Sequence, residues 1–272
     1  NLTGAFSWTT AFNIAFNRNK VLELGGEEYK EMAEGDGHLK TGSVRRLIVG
    51  EPIGVFYGYR FDGIFQNEEE CKQQTSSASP IGVGLRRYKD LNGDGKVDAA
   101  NDREILGDAN PKFFGGLTNT FAYKGFELNV FLQYSYGNKI LNYNAMELEN
   151  PTGGQNAYAD MVNRWTPENP SNIYPKATTN RALLVSDRFI EDGSYLKLKT
   201  LSLSYSFPKI NLKHIQGLRL YVTGQNLLTW TKYRGYDPEV SYRGASTLEA
   251  GEDFGGYPQS RTFMFGIKLD IK

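Results

Sequence analysis

Phe126, Leu128, Val130, Leu132, Tyr134 and Tyr136 occupy every second position of one stretch, with Glu127, Asn129, Gln133 and Ser135 between them. Side chains alternate across an extended backbone, so this stretch carries one apolar and one polar face. The alternation recurs in Phe6, Trp8, Phe12, Ile14 and Phe16, and again in Phe263, Phe265, Ile267, Leu269 and Ile271. Strands of water-soluble domains usually run about five or six residues. A tilted strand crossing a bilayer needs about nine to eleven, apolar outward and polar inward. Length and period together predict an all-β chain: a transmembrane antiparallel β-barrel segment.

The pattern places strands at about 6–17, 54–66, 113–124, 125–137, 195–207, 217–229 and 261–271. Tyr123-Lys124-Gly125-Phe126 reads as a tight turn and Pro208 to Gly217 as a short link; the other connections are long and rich in Gly, Asn, Pro and Asp. Outer-membrane barrels have short periplasmic turns and long extracellular loops. With a periplasmic C-terminus, 67–112, 138–194 and 230–260 lie outside the cell, and 18–53 becomes an unusually long periplasmic connection. After Leu198 the apolar phase slips by one residue, which predicts a β-bulge near Thr200. Bacterial barrels close with an even number of strands, about eight or more. Seven strands therefore imply the C-terminal portion of something larger.

Composition adds detail. The chain has 17 Tyr, 16 Phe and 3 Trp within a hydrophobic content of 39%. Aromatic girdles at two membrane interfaces produce such a tilt, and so does an aromatic-rich, sugar-binding β-sandwich. No apolar run approaches the roughly 18 residues of a membrane helix. Lys plus Arg balances Asp plus Glu at 31 each, which gives no basic surface for nucleic acid. Cys71 is the single cysteine, so no internal disulfide forms. The opening Asn1-Leu2-Thr3 lacks the basic and apolar regions of a secretory leader, as expected after its removal or in a piece of a longer product.

Asp90-Leu91-Asn92-Gly93-Asp94-Gly95-Lys96-Val97-Asp98 sets side-chain oxygens at positions 1, 3, 5 and 9 of a loop, with Gly at position 6. That spacing wraps a hard cation. It predicts a structural Ca²⁺ held by Asp90, Asn92, Asp94 and Asp98 through side chains and by Lys96 through its carbonyl. Asn101 stands where an EF-hand has its bidentate Glu, with Asp102 and Glu104 just beyond; a polar surface turn is the alternative. Trp230, Tyr233 and Tyr236 suit an interfacial girdle, or stacking on a ligand sugar. Catalytic chemistry is not indicated. His38 and His214 lie far apart, and the acid pairs Asp237/Glu239 and Glu191/Asp192 read as loop carboxylates, as does Glu68-Glu69-Glu70.

Gln225 to Glu239, through Gly235-Tyr236-Asp237-Pro238-Glu239, resembles the near-terminal signature of SusC/RagA-class TonB-dependent outer-membrane receptors. Other stretches resemble the same family in the same order: Val49 to Tyr59 followed by Asp62-Gly63-Ile64-Phe65, Asp90 to Asp98 with Gly107 to Phe113, and Asn163 to Pro170. Asp192 to Lys199 and Ser260-Arg261-Thr262-Phe263 complete the set. The resemblance implies about the last third of a 22-stranded barrel with a plugged lumen. It further implies an importer of oligosaccharides or peptides, capped by a SusD-like lipoprotein and driven through TonB. The family's plug domain, N-terminal strands and TonB box have no counterpart in this chain, and Leu269-Asp270-Ile271-Lys272 lacks the usual terminal aromatic. A TonB-dependent receptor for a metal chelate or vitamin, without a lid, is the nearest alternative; a soluble calcium-stabilised glycan-binding sandwich is the more distant one. Inward-facing Asn13, Asn17, Glu127, Asn129 and Gln133 are expected to face plug or lumen. Ligand contacts belong to loops 138–194 and 230–260, where Asn156, Tyr158, Arg164 and Tyr242 are candidates.

Overall fold

The structure, a computed structural model, describes residues 4–32, 35, 38–39, 41–150, 156–179, 183–208, 214–239, 242, 244, 246 and 248–271. Six long strands form one sheet in chain order: β1 (Phe6–Ala15), β2 (Phe113–Tyr123), β3 (Phe126–Tyr136), β4 (Tyr195–Ser206), β5 (Ile215–Thr231) and β6 (Thr262–Ile271). Every neighbouring pair is antiparallel, so the sheet is an up-and-down meander. The hairpin between β2 and β3 turns through Lys124 and Gly125, both at positive φ (44° and 87°). That is the two-residue turn whose twist matches flanking strands.

The register aligns the apolar alternation of all six strands on one face. Trp8, Phe121, Leu128, Leu203, Val222 and Phe265 form one continuous cross-strand row. Aromatic rings gather at both ends of this face. Phe6, Tyr123, Phe126 and Tyr205 lie at the turn end, and Phe113, Tyr134, Tyr136 and Trp230 at the other. Aliphatic Leu117, Leu132, Val130 and Leu201 fill the middle. From Phe126 to Tyr136 the strand is about 34 Å long at its normal rise. A tilt of about 40° reduces this to about 25 Å, the height of an outer-membrane apolar band. The face is open: Phe265 is 82% exposed and Phe12 61%. The six long strands form a single sheet with that face exposed, which is not the arrangement of a sandwich core.

Two local devices keep the register. Between β3 and β4 the pairing shifts so that Phe131 meets Thr200 and Leu132 meets Leu198. Lys199 is the extra residue, which places the expected bulge one position before Thr200. Glycines on the sheet are covered by cross-strand rings: Tyr221 lies on Gly266, its partner, where a Cβ would come within 2.1 Å of the ring. Tyr134 pairs with Gly115 and donates its hydroxyl to the Asn13 carbonyl at 2.8 Å. Such aromatic cover restores packing that glycine leaves out.

The segment 54–66 is not a wall strand. It forms two short strands, Val55–Tyr59 and Phe61–Ile64, paired with Arg103–Asp108 and Arg86–Tyr88. Its alternation misleads because both faces are covered: Val55, Phe56, Gly58 and Tyr59 are all buried. With this strand removed, 16–112 becomes a single connection. It leaves the sheet at the same end as 137–194 and 232–261, so the expected periplasmic placement of 18–53 is corrected. The three long connections share a hydrophobic core made of Phe56 and Leu106, Leu141, Tyr143, Met146 and Phe189, with Ala250 and Phe254 packed against it. Arg45 is sealed into this core, its guanidinium 4.1 Å over Phe56 and 2.9 Å from Glu252, with Gly54 and Ala250 carbonyls accepting its other donors.

Candidate functional site

The polar face of the sheet and the loop module above it meet around Lys197. Asn13, Gly116, Gln133, Lys197 and Thr229 lie in one row across five strands. Lys197 is 2% exposed. A buried ammonium must be paired, and two loop carboxylates supply this. Its Nζ donates to Asp237 Oδ1 at 2.5 Å and to Glu239 Oε2 at 2.7 Å. Lys199, the bulge residue, donates to Glu239 Oε2 at 2.8 Å, and Gln133 Nε2 to Glu239 Oε1 at 2.9 Å. Asp237 also accepts the Glu239 backbone N–H at 2.8 Å. Burial pushes the Glu239 carboxyl up, yet hydrogen bonds from Lys197 and Lys199 prevail and hold it at about 2. The cluster ties the loop after β5 to the wall's polar face.

Lower on that face, Arg219 donates to Glu127 Oε1 at 2.5 Å and to Ser204 Oγ at 2.7 Å. Asn129 Nδ2 donates to Thr120 Oγ1 at 2.9 Å, and Asn13 Oδ1 accepts the Gly116 N–H at 3.0 Å. Asn13, Glu127, Asn129 and Gln133 therefore lie on the polar face as expected. Asn17 is exposed beyond the end of β1.

A second polar cluster joins the connections. Glu149, 1% exposed, accepts from Arg188 at 2.6 Å and from Arg234 at 2.8 Å. Arg234 also grips Glu191 at 2.8 Å. Next to it, Tyr233 is buried and donates its hydroxyl to Asp253 at 2.5 Å. Burial and the Asp253 carboxylate push the phenol well above its usual range. Tyr233 thus belongs to the loop core and not to the girdle, whereas Trp230 pairs with Leu196 on the apolar face and Tyr236 is exposed.

Asp90, Asn92, Asp94, Lys96 and Asp98 fold into one exposed loop. Asp90 accepts the Gly93 and Gly95 N–H groups, both at 2.7 Å, and Asp94 accepts the Lys96 N–H at 2.8 Å. Lys96 Nζ reaches Asp98 at 3.1 Å. Asp102, fully buried, closes the loop by accepting from Leu91 and Asp98, both at 2.7 Å. Among the described residues no three His, Cys, Asp or Glu side chains are grouped closely enough for a metal ion. Of the loop candidates, Asn156 is exposed, Tyr158 packs against the core and Tyr242 meets Phe254 edge-to-face at 5.6 Å; Arg164 is half-buried and donates to the Met161 carbonyl at 3.5 Å. Tyr158 and Arg164 flank the same 3₁₀ turn, Ala159–Asn163.

The Lys197 cluster escaped sequence reasoning. Its signals were two short charged motifs, Leu196-Lys197-Leu198-Lys199 and Asp237-Pro238-Glu239, about forty residues apart. Nothing local says they touch.

No family model matches the chain. TonB-dependent receptor P3 of Formosa agariphila is 38% identical over 270 residues, covering 97% of this chain and 27% of the receptor. TonB-dependent receptor P26 of the same organism is 33% identical over 98% of the chain and 27% of its own length. TonB-dependent receptor SusC of Bacteroides thetaiotaomicron is 26% identical over 99% and 25%. Among solved structures, the RagAB peptide transporter superposes with a TM-score of 0.74 at 23% identity, over 99% of this chain and 28% of that one. Six strands out of 22 are a similar share. The chain spans about a quarter of the length of the relatives it matches, and it is a SusC/RagA-like segment of a TonB-dependent receptor barrel wall.

Proposed function

We propose that this chain is wall and loop structure of an outer-membrane importer for oligosaccharides or peptides, driven through TonB and covered by a SusD-like lipoprotein. The observation that carries the reading is the two-faced sheet: an apolar band between aromatic rows, a polar inner wall, and long connections packed at one end. Similarity to SusC and to the RagAB peptide transporter over nearly the whole chain supports the substrate class and the lidded arrangement. In this reading the loop module lies outside the cell, the polar face lines plug and lumen, and the plug and TonB-binding segment belong to the rest of the receptor. The chain has no catalytic part in it. A Ca²⁺ at the Asp90–Asp98 loop is a further proposal, supported by the spacing of its oxygens.

Gentle detergent extraction of the intact receptor, with mass spectrometry of its companions, tests this. A stoichiometric lipoprotein is the expected result. A receptor that purifies alone favours the lidless chelate or vitamin importer, and recovery in the soluble fraction overturns the membrane reading.

A further inference from the structure

A cavity of about 40 Å³ lies in the loop module, between the connections 16–112 and 137–194. At roughly 10–15 Å³ per water it has room for about three, the heavy-atom count of a carboxylate group. Its polar side is Arg86, Tyr88 and Asn150, and its apolar side Leu85, Pro175 and Leu184. Arg86 is 9% exposed, and its Nη2 donates to the Glu149 carbonyl at 3.0 Å. Its Nε has no hydrogen-bond partner, and among the described residues the guanidinium makes no ion pair. The Glu149 carboxylate is committed elsewhere, one oxygen to Arg188 and the other to Arg234. Burial pulls the Arg86 guanidinium below its usual range, and the like charge of Arg188 adds to this. Asn150, also buried, has the opposite need: its Oδ1 receives no donor.

A buried cation is costly until an anion faces it, and a buried acceptor without a donor is costly too. Water can answer both hydrogen bonds but brings no charge. We propose that this cavity captures the C-terminal carboxylate of a peptide, the carboxylate on Arg86 and the last peptide N–H on Asn150 Oδ1. The planar fork of an arginine matches a carboxylate. A peptide terminus carries that carboxylate and an N–H donor within one residue. The leucine and proline side of the cavity suits an apolar last side chain better than a hydroxylated sugar acid. That the occupant is cargo rests on the importer reading above, whereas the site itself stands on the unpaired guanidinium and amide.

Titration calorimetry on the intact receptor in detergent tests this with three probes: N-acetyl-dialanine, its C-terminal amide, and glucuronic acid. The wild type is expected to bind the free peptide acid about tenfold more tightly than the amide, as loss of a charge-assisted hydrogen bond predicts. Arg86→Gln is expected to erase that difference. Equal affinity for acid and amide, no binding of either, or an unchanged preference in Arg86→Gln overturns the site and leaves a pocket for water. Glucuronic acid binding as tightly as the peptide acid overturns the peptide assignment. If Arg86→Gln lacks the heat-sensitive gel mobility of a folded barrel, Asn150→Leu takes its place. About fivefold weaker binding of the acid is then expected, and unchanged affinity overturns the site. A failure of the importer reading looks different. A receptor that binds the acid yet extracts without a lipoprotein companion loses that reading and keeps the site; a lidded receptor indifferent to the charge does the reverse.

Discussion

Lys197 shows how one side chain decides a local structure. It is a cation on the polar face of β4, buried by a loop whose two carboxylates neutralise it. Removing one partner of such a pair strands the others and costs about 3–5 kcal/mol. Lys197→Met is therefore expected to free the loop around 232–239, read as faster proteolytic cleavage there in the intact receptor. Glu239→Gln, which keeps the shape and some hydrogen bonds, should do less. The pH dependence has a definite sign. Glu239 titrates at about 2 in the folded protein, below the roughly 4.3 of a free Glu. Its contribution is complete above that free value and lost as pH falls towards 2. Hydrogen exchange of this loop should be constant from pH 7 to about pH 5 after intrinsic-rate correction, then rise. At the Asp90–Asp98 loop, Ca²⁺ binding would raise the thermal midpoint of the intact receptor and Asp94→Ala would abolish the rise. An unchanged midpoint at millimolar Ca²⁺ removes the calcium proposal.

At the scale of the strand, alternation carries the argument. Val130 lies on the apolar face between Asn119 and Leu201, and its neighbour Asn129 on the polar face between Thr120 and Ser202. A charge at Val130 is expected to cost about 2–4 kcal/mol near the bilayer midplane. Lys at Asn129 should be tolerated. Urea unfolding from lipid vesicles measures both, and equal midpoints would refute the facing of β3. The five wall strands other than β4 were legible because their apolar positions recur at period two over long stretches, although β5 is broken at Ile215/Gly217 and at Asn226, which has positive φ. β4 was legible with a slip, since the bulge at Lys199 left a visible phase change. The stretch 54–66 was misread because a short strand buried on both faces offers the same apolar density as a wall strand. What separates them is length: Val55–Tyr59 has five residues and β3 eleven.

The whole molecule combines two kinds of stabilisation. The sheet turns its apolar face outward, and the two enclosed clusters among the described residues, the large one around Phe56 and a small one of Tyr59, Tyr88 and Val97, belong to the connections at one end. Arg45 and Glu252 hold the large one together from two connections that are distant in sequence. Arg45→Ala leaves Glu252 buried without its cation, a loss of about 3–5 kcal/mol. The variant is expected to insert as a barrel yet expose the loop module to limited proteolysis; unchanged protease resistance would show that the pair is dispensable. By itself, the sequence determined the two-faced wall, its long strands, the tight turn at Lys124-Gly125 and the family likeness, because each follows from residues adjacent or alternating along the chain. Only the tertiary structure decided that 54–66 belongs to the loop module, that all three long connections leave one end, and that Lys197 finds Asp237 and Glu239. Those outcomes depend on burial and charge pairing between residues far apart in sequence, where local period and propensity carry no information.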